Sequence, residues 1–142
     1  NAPVLAEQRG VDISLTTDML SEDHKNLLTV AITQTDGVTV CVSGTVAGAR
    51  HQAKVVELNG FDIDVPMSSH MVFFRYHDRP GVVGQVGNLL GNAQINIAGM
   101  QVSRDNDGHA LMVLIVDSPL AHELIDQITD DIGAHTGKAV AL

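Results

Sequence analysis

The chain has 142 residues, and 44% of them are hydrophobic, which suits a folded protein of one domain or two small ones. It carries 17 acidic and 8 basic residues, for a formal net charge of −9, and has only one tyrosine, three phenylalanines and no tryptophan. This balance argues against nucleic acid and anionic membranes as partners, because both are bound by basic surfaces and nucleic acid also by aromatic stacking.

The sequence also limits the compartment and the type of site. No apolar run reaches the ~18 residues of a membrane span, and residues 1–3 show neither an initiator methionine nor a signal-peptide pattern. A single cysteine, Cys41, excludes an internal disulfide and a multi-thiolate zinc or iron–sulfur site. We therefore expect a cytoplasmic protein and interpret the sequence as a fragment of a longer chain.

The chain opens with short elements. A helix is predicted at residues 4–9, with Asn1 as its N-cap and Gly10 as its end. Residues 11–15 alternate apolar and polar side chains as a half-buried strand does, and a polar loop is predicted around residues 21–24.

Two β-hairpins are predicted next. The first has alternating segments on either side of Asp36-Gly37, and the second has them on either side of Asn59-Gly60. Both dipeptides are strong hairpin signals. The segment from Pro66 to Ser69 interrupts the alternation, so we place a boundary there between a β-rich domain, residues 1–69, and a second domain, residues 70–142.

From residue 70 onward, strands alternate with segments of helical period. Strands are predicted at residues 71–76, 95–104, 109–116 and 137–141, and helices at residues 81–92 and 119–132. Ser118-Pro119 supplies an N-cap and a first-turn proline for the second helix. The order βαββαβ predicts an α+β, ferredoxin-like sandwich with both helices on one face and strand 95–104 at an edge, where a second copy can pair with it.

The loop between the first strand and helix of this unit is a candidate ligand site. Pro80 has the fixed φ that suits a first helical turn, and Gly81 allows a ligand to approach the free amides. The helix dipole favours an anionic group at those amides, while Asp78 offers a partner for a cation. The pattern indicates a small zwitterion, and the alternative is an ordinary strand-to-helix turn.

Two glycines lie inside the helix that follows this loop. Gly84 and Gly87 each cost about 1 kcal/mol relative to alanine in a helix interior. We therefore expect some group to approach the backbone closely there, and tight packing of the helix against the sheet is the simpler alternative.

No metal site is expected. The segment from Asp105 to Gly108 resembles the start of a calcium loop, but it lacks the closing glutamate and favours a hairpin turn. The seven histidines are scattered and never take the close paired spacing of a zinc site, so we interpret them as surface or loop residues. Cys41 alternates with valines and is interpreted as a structural strand residue.

Two family resemblances emerge from these elements. Residues 70–142 resemble the ACT regulatory domain of amino-acid metabolism, through Asp78-Arg79-Pro80-Gly81, the glycine-rich helix and Ile95-Asn96-Ile97. Residues 1–3, 42–50 and 56–60 are similar to the intervening domain of the long-form D-3-phosphoglycerate dehydrogenases, which lies between an NAD-dependent core and an ACT domain. The resemblance implies a carboxy-terminal regulatory fragment that lacks the opening part of the intervening domain. It also implies that NAD belongs to the parent enzyme and that this fragment has no cofactor.

The same resemblance implies a ligand and its residues. L-serine, the end product of the pathway, would bind between ACT domains of a homodimer or larger homo-oligomer and lower catalysis elsewhere. Tyr76 and Asp78 would come from one subunit and Asn96 from the edge strand of the other. The amides around Val82 and Val83 would hold the carboxylate, Asp78 the ammonium, and Tyr76 or Asn96 the hydroxyl or amino group.

Other interpretations stay open. An anion effector could bind the intervening domain through Arg50, His51 and Lys54, and the alternative is that these are solvated charges beside a strand. The whole chain could be a structural oligomerisation module without a ligand. It could also be the regulatory part of an iron–sulfur L-serine dehydratase, although the single cysteine argues against that reading.

Overall fold

The computed structural model describes residues 2–17 and 26–142. In chain order the elements are α1 (Ala2–Gln8), β1 (Leu27–Thr33), β2 (Thr39–Ala47), β3 (Gln52–Leu58), β4 (Phe61–Pro66), β5 (His70–His77), α2 (Val82–Asn92), β6 (Ile97–Arg104), β7 (His109–Val116), α3 (His122–Asp131) and β8 (Ala134–Ala141). The strands form two four-stranded antiparallel sheets, one from β1 to β4 and the other from β5 to β8.

The first sheet has the strand order β1-β2-β3-β4, so each strand pairs with the next in sequence. Both predicted hairpins are confirmed. In the second, Asn59 and Gly60 have φ values of 50° and 83°, as a two-residue hairpin turn of matching twist requires. Gly37 has a φ of 86° in the first turn, a conformation that glycine adopts without strain.

The predicted strand at residues 11–15 is wrong. These residues are neither helix nor strand, and their apolar side chains are exposed. A segment with alternating apolar and polar residues forms a strand only if a neighbouring strand supplies hydrogen bonds, and no described strand pairs with this segment. The proposed N-cap Asn1 and the loop at residues 21–24 lie outside the described residues.

The second sheet has the order β6-β7-β5-β8, with α2 and α3 on one face. This confirms the ferredoxin-like prediction and the position of β6 at an edge. One hydrophobic cluster joins this face of the sheet to both helices, and its large buried members include Phe74, Tyr76, Leu90, Met112 and Ile128.

Two predicted helix starts differ from the structure. The helix α2 begins at Val82, with Gly81 as its N-cap, so Pro80 lies before the first turn and not in it. The left-handed φ of 93° at Gly81 prevents the helix from extending back to the proline. The helix α3 begins at His122, after Ala121 in an extended conformation. The Ser118 hydroxyl donates to Asp117 Oδ1, at 3.0 Å, and does not cap a helix at Pro119.

The other face of the second sheet packs against the first sheet. Side chains of β4 contact buried side chains of β5 and β7 in a second cluster that contains Phe61, Ile63, Val65, Met71, Leu111 and Val113. The amide of Asp64 also donates to Gln101 Oε1 at 2.9 Å. A largely apolar cavity of about 500 Å³ lies beside this contact, between the sheets. Because both sheets share one cluster, the division at residue 69 stays a prediction.

The glycines differ in how much space surrounds them. A Cβ at Gly84 or Gly87 would have nothing within 4 Å, so neither glycine is explained by tight packing of α2 against the sheet. Gly137 on β8 is different. A Cβ there would clash with Thr129 Oγ1 and lie 2.9 Å from Cε1 of Phe74, where α3 crosses the sheet.

We therefore predict that Gly137→Ala lowers the free energy of unfolding by about 1–3 kcal/mol, the usual cost of forcing extra volume into a packed core. Gly91→Ala is the matched control, because its Cβ enters open space on α2 and alanine favours helix by up to about 1 kcal/mol. Urea denaturation followed by circular dichroism measures both. Equal midpoints for Gly137→Ala and the unaltered chain would contradict the packing described here.

Candidate functional site

The loop of residues 78–81 is held at two points. The amide of Asp78 donates to the Gly108 carbonyl, at 2.9 Å, in the turn between β6 and β7. The Arg79 guanidinium donates through Nη2 to the Ile132 carbonyl, at 2.9 Å, at the carboxyl end of α3. A cation is favourable there because the last carbonyls of a helix carry partial negative charge. The loop is therefore tied both to the sheet and to the second helix.

The start of α2 offers backbone donors. Gly81 is the N-cap, and within the described residues the first turn of the helix has no side-chain cap. The Val82 side chain is buried in the core and anchors the first turn, whereas Val83 is exposed. A Cβ at Gly81 would meet nothing within 4 Å, so the approach to these amides is open. Free amides at the positive end of a helix dipole suit a carboxylate or another anion.

Asp78 already has a partner that sequence reasoning missed. Its Oδ2 accepts a hydrogen bond from Arg104 Nε at 2.6 Å, and its side chain is 31% exposed. Arg104 is the last residue of β6, and β6 runs in the same direction as β5, so both residues lie at one end of the sheet. The βαββαβ order contained this information, because it fixes the directions of the strands. The pair brings one positive and one negative charge to the mouth of the loop.

Tyr76 is buried, whereas a residue that binds a ligand at the surface would be exposed. It is 1% exposed and belongs to the core beneath the helices. Burial raises the pKa of its hydroxyl, the Asp78 carboxylate raises that pKa further, and Arg104 lowers it to a smaller extent. The hydroxyl therefore senses the electrostatic field of the ion pair at the loop.

Asn96 lies at the opposite end of the sheet. It is exposed and directly precedes β6, and its amide donates to Asp117 Oδ1 at 3.1 Å. The eight residue steps from Asn96 to Arg104 span roughly 25 Å of extended chain. A single chain therefore does not bring Asn96 and Asp78 together.

The three candidates for an anion site lie on the first sheet. Arg50 and His51 are exposed in the turn between β2 and β3. Lys54 Nζ is bound to both carboxylate oxygens of Asp64, at 2.8 and 3.0 Å. An anion at Lys54 would have to compete with that carboxylate, so this site stays a prediction.

Three histidines lie close together at the end of the sheet that carries the loop. His77, His109 and His135 come from β5, β7 and β8, and each offers a ring nitrogen within 4.8 Å of the others. The histidines are scattered along the sequence, as interpreted above, but the fold brings these three together. The direct pairing of His77 with His109 follows from the strand order, but the position of His135 does not.

One carboxylate supports this cluster. Asp105 Oδ1 accepts hydrogen bonds from the amides of Asp107 and His109, at 3.0 and 2.7 Å, and its Oδ2 lies 3.1 Å from His109 Nδ1. Partial burial acts to raise the pKa of Asp105, but these hydrogen bonds and the nearby imidazole outweigh it, so the pKa is lowered. The ionised form of Asp105 is therefore favoured, and its contact with Nδ1 fixes the orientation of the His109 ring.

Within residues 2–17 and 26–142, none of the helices combines the length and apolar character needed to cross a bilayer.

Comparison with known families agrees with this architecture. Residues 70–133 match the ACT domain family, and residues 1–59 match the D-3-phosphoglycerate dehydrogenase intervening domain. The βαββαβ unit with the loop at residues 78–81 is thus an ACT-type regulatory domain.

Similar proteins of known name include D-3-phosphoglycerate dehydrogenases. The chain is 33% identical to a D-3-phosphoglycerate dehydrogenase of Mycobacterium leprae over all of this chain and 27% of the relative. It is 32% identical to one of Synechocystis, over 100% and 26% of the two chains, and 34% identical to one of Bacillus subtilis, over 92% and 25%. The chain belongs to the D-3-phosphoglycerate dehydrogenase family and is part of its regulatory region. It spans about a quarter of the length of these relatives.

We predict that Tyr76 titrates above the ordinary tyrosine pKa of 10.0. It is the only tyrosine, so the near-ultraviolet absorbance of tyrosinate reports it alone. Asp78→Asn should lower this pKa and Arg104→Gln should raise it, whereas Asp107→Asn, an equal change of charge elsewhere, should have little effect. Because the folded pKa exceeds the unfolded one, the associated stability is present below pH 10 and is lost as pH rises through the folded pKa. Titration at the ordinary value, unmoved by Asp78→Asn, would contradict this placement.

Proposed function

We propose that this chain is the regulatory region of a cytoplasmic, NAD-dependent D-3-phosphoglycerate dehydrogenase of L-serine biosynthesis, and that it binds L-serine between two ACT domains as a feedback inhibitor. The observation that carries the proposal is the uncapped start of α2 beside the Asp78 carboxylate. The match of residues 1–59 to the dehydrogenase intervening domain favours this parent over an L-serine dehydratase.

The loop has complementary groups for both charges of an amino acid. The amides at the start of α2 can donate to the ligand carboxylate, and Asp78 can accept from its ammonium group. Arg104 uses one Asp78 oxygen, Oδ2, and a carboxylate has acceptor sites for more than one donor. Because Arg104 is largely exposed, its ion pair is weakened by solvent and contributes only about 0–1 kcal/mol. An incoming ammonium can therefore share or replace this partner at small cost.

A second copy would complete the site. The edge of β6 away from β7 is free to pair within the described chain, and Met100 at its middle is 46% exposed. Antiparallel pairing of two β6 strands about a twofold axis through Met100 would put Asn96 of one copy opposite Arg104 of the other. That arrangement carries Asn96 across to the loop of the second copy, where its amide can bind the ligand. Each site would then contain Asp78 from one chain and Asn96 from the other.

Control would follow from the shared site. A ligand bound by both copies favours the state in which the two β6 edges are paired correctly, and it shifts the equilibrium only by its preference for that state. A coupling of about 1–3 kcal/mol is typical of such regulation. The first sheet, which packs on the second through β4, would carry the change toward the catalytic part of the enzyme.

One observation supports a different function, an oligomerisation module without a ligand. The two groups expected to hold charged ligands are already paired, Asp78 with Arg104 and Lys54 with Asp64. A domain that had lost its ligand could retain such internal pairs.

Calorimetric titration of L-serine into the chain distinguishes these functions. We expect saturable binding, weakened roughly 10–100-fold in Asp78→Asn, because the charged acceptor for the ammonium is lost. Asp107→Asn makes the same change of charge in the neighbouring turn and should bind as the unaltered chain does. No binding heat from the unaltered chain would favour the oligomerisation module.

Mixing two variants tests whether the site is shared. Asp78→Asn and Asn96→Ala should each bind L-serine weakly when alone. If each site takes one residue from each copy, a mixed dimer of the two variants has one intact site and one site with both changes. The mixture should recover tight binding with a lower number of sites per chain. Tight binding by Asn96→Ala alone would contradict the shared site.

A further inference from the structure

Three imidazoles from different strands converge on the face of the second sheet opposite its helices. His77 and His109 are direct partners across the β5–β7 ladder, and their stacked rings have centroids 4.7 Å apart. The His135 ring lies edge-on to both, with centroid distances of 5.0 and 5.5 Å. His77 and His135 are exposed and His109 is half-buried, so the cluster is open to solvent.

An irregularity in β8 brings in the third histidine. Thr136 pairs with Arg75 and Ala134 pairs with Tyr76, which leaves His135 as an additional residue in the ladder. Strict alternation would place neighbouring residues on opposite faces, but an additional residue in a bulge changes the direction of its side chain. The bulge therefore lets the His135 ring share a face with His77 and His109.

Asp105 prepares His109 to act as a ligand. The carboxylate is fixed by two backbone amides through Oδ1 and faces His109 Nδ1 through Oδ2, at 3.1 Å. With Nδ1 donating to that carboxylate, the free lone pair of the ring lies on Nε2. Histidines that bind metals commonly have this carboxylate partner, which fixes the ring and increases its basicity.

We propose that His77, His109 and His135 form a binding site for one divalent transition-metal ion such as Zn²⁺, with Asp105 as the carboxylate that orients His109. Three neutral imidazoles suit zinc and its neighbours, whereas Mg²⁺ and Ca²⁺ prefer oxygen ligands. Around a tetrahedral zinc with bonds of about 2.0–2.1 Å, two ligand nitrogens are roughly 3.4 Å apart. The ligand nitrogens are at most 4.8 Å apart, and small rotations of the exposed His77 and His135 side chains would shorten these distances to about that value.

The site would adjoin the amino-acid loop without using its residues. His77 directly precedes Asp78, and Gly108, whose carbonyl accepts from the Asp78 amide, directly precedes His109. Three protein ligands leave a fourth position for water or a small donor. Metal binding requires only the three imidazoles, so it does not depend on whether L-serine binds.

Titration of ZnCl₂ into the metal-free 142-residue chain tests the proposal. We expect saturable binding of one ion per chain, no saturable binding of Mg²⁺, and a stronger visible absorption when Co²⁺ takes the site in tetrahedral geometry. Each of His77→Ala, His109→Ala and His135→Ala should lose this binding. Asp105→Asn should weaken it by roughly 10–100-fold, as is usual when an orienting partner of a ligand is removed.

His122→Ala is the matched control, because its side chain is 82% exposed on α3, outside the cluster, and it should bind Zn²⁺ as the unaltered chain does. Circular dichroism confirms that each variant is folded, and His135→Gln provides a second, conservative change at the exposed ligand. The absence of saturable Zn²⁺ binding by the unaltered chain would overturn the proposal. So would unchanged affinity in all three folded histidine variants, or several weakly bound ions in place of one.

Discussion

Alternate side chains of β5 enter two separate hydrophobic cores, and this double burial constrains the rest of the molecule. Val72, Phe74 and Tyr76 pack beneath the two helices, whereas Met71 and Phe73 face the first sheet. Its neighbour β7 is divided in the same way. Since both faces are largely covered along the middle of these strands, both strands need nearly continuous apolar sequence there, as in sheets that are covered on both sides.

The double burial confines polar chemistry to the ends of these strands. At the end of β5 the chain passes from a buried tyrosine to His77 and Asp78 within two residues. The same end receives Arg104 from β6. The strand β7 begins there with His109, and His135 is the second residue of β8. Backbone donors, an ion pair and three imidazoles thus share a small region supported by a rigid sheet. The individual polar contacts are weak in water, so a ligand or an ion can rearrange them without disturbing the core.

The edge strand β6 separates the two halves of the proposed amino-acid site. Asn96 directly precedes this strand and Arg104 ends it, so the proposed pairing with a reversed second strand would bring both types of residue to one loop. A site of this kind is sensitive to how two copies meet. In the proposed assembly, that sensitivity would give a small ligand a physical means of acting on the whole oligomer.

The sequence by itself determined the local features. Asp36-Gly37 and Asn59-Gly60 predicted both hairpins, and the order of apolar periods predicted the βαββαβ fold and the exposed edge at β6. The glycine after Pro80 predicted an open helix start, although the helix begins two residues later than the proline suggested. These features depend on turn chemistry and on the period of side chains along a few residues, which the sequence encodes directly.

Only the tertiary structure decided which distant residues meet. The alternation at residues 11–15 forms no strand because no described neighbour pairs with it. Tyr76 is buried because α2 and α3 cover its face of the sheet, and Asp78 is paired because β6 ends beside it. The histidine cluster joins residues that are far apart in sequence, and one additional residue in β8 turns His135 toward the others. Strand order, strand direction and a single bulge determine these contacts, and no local sequence pattern specifies the bulge.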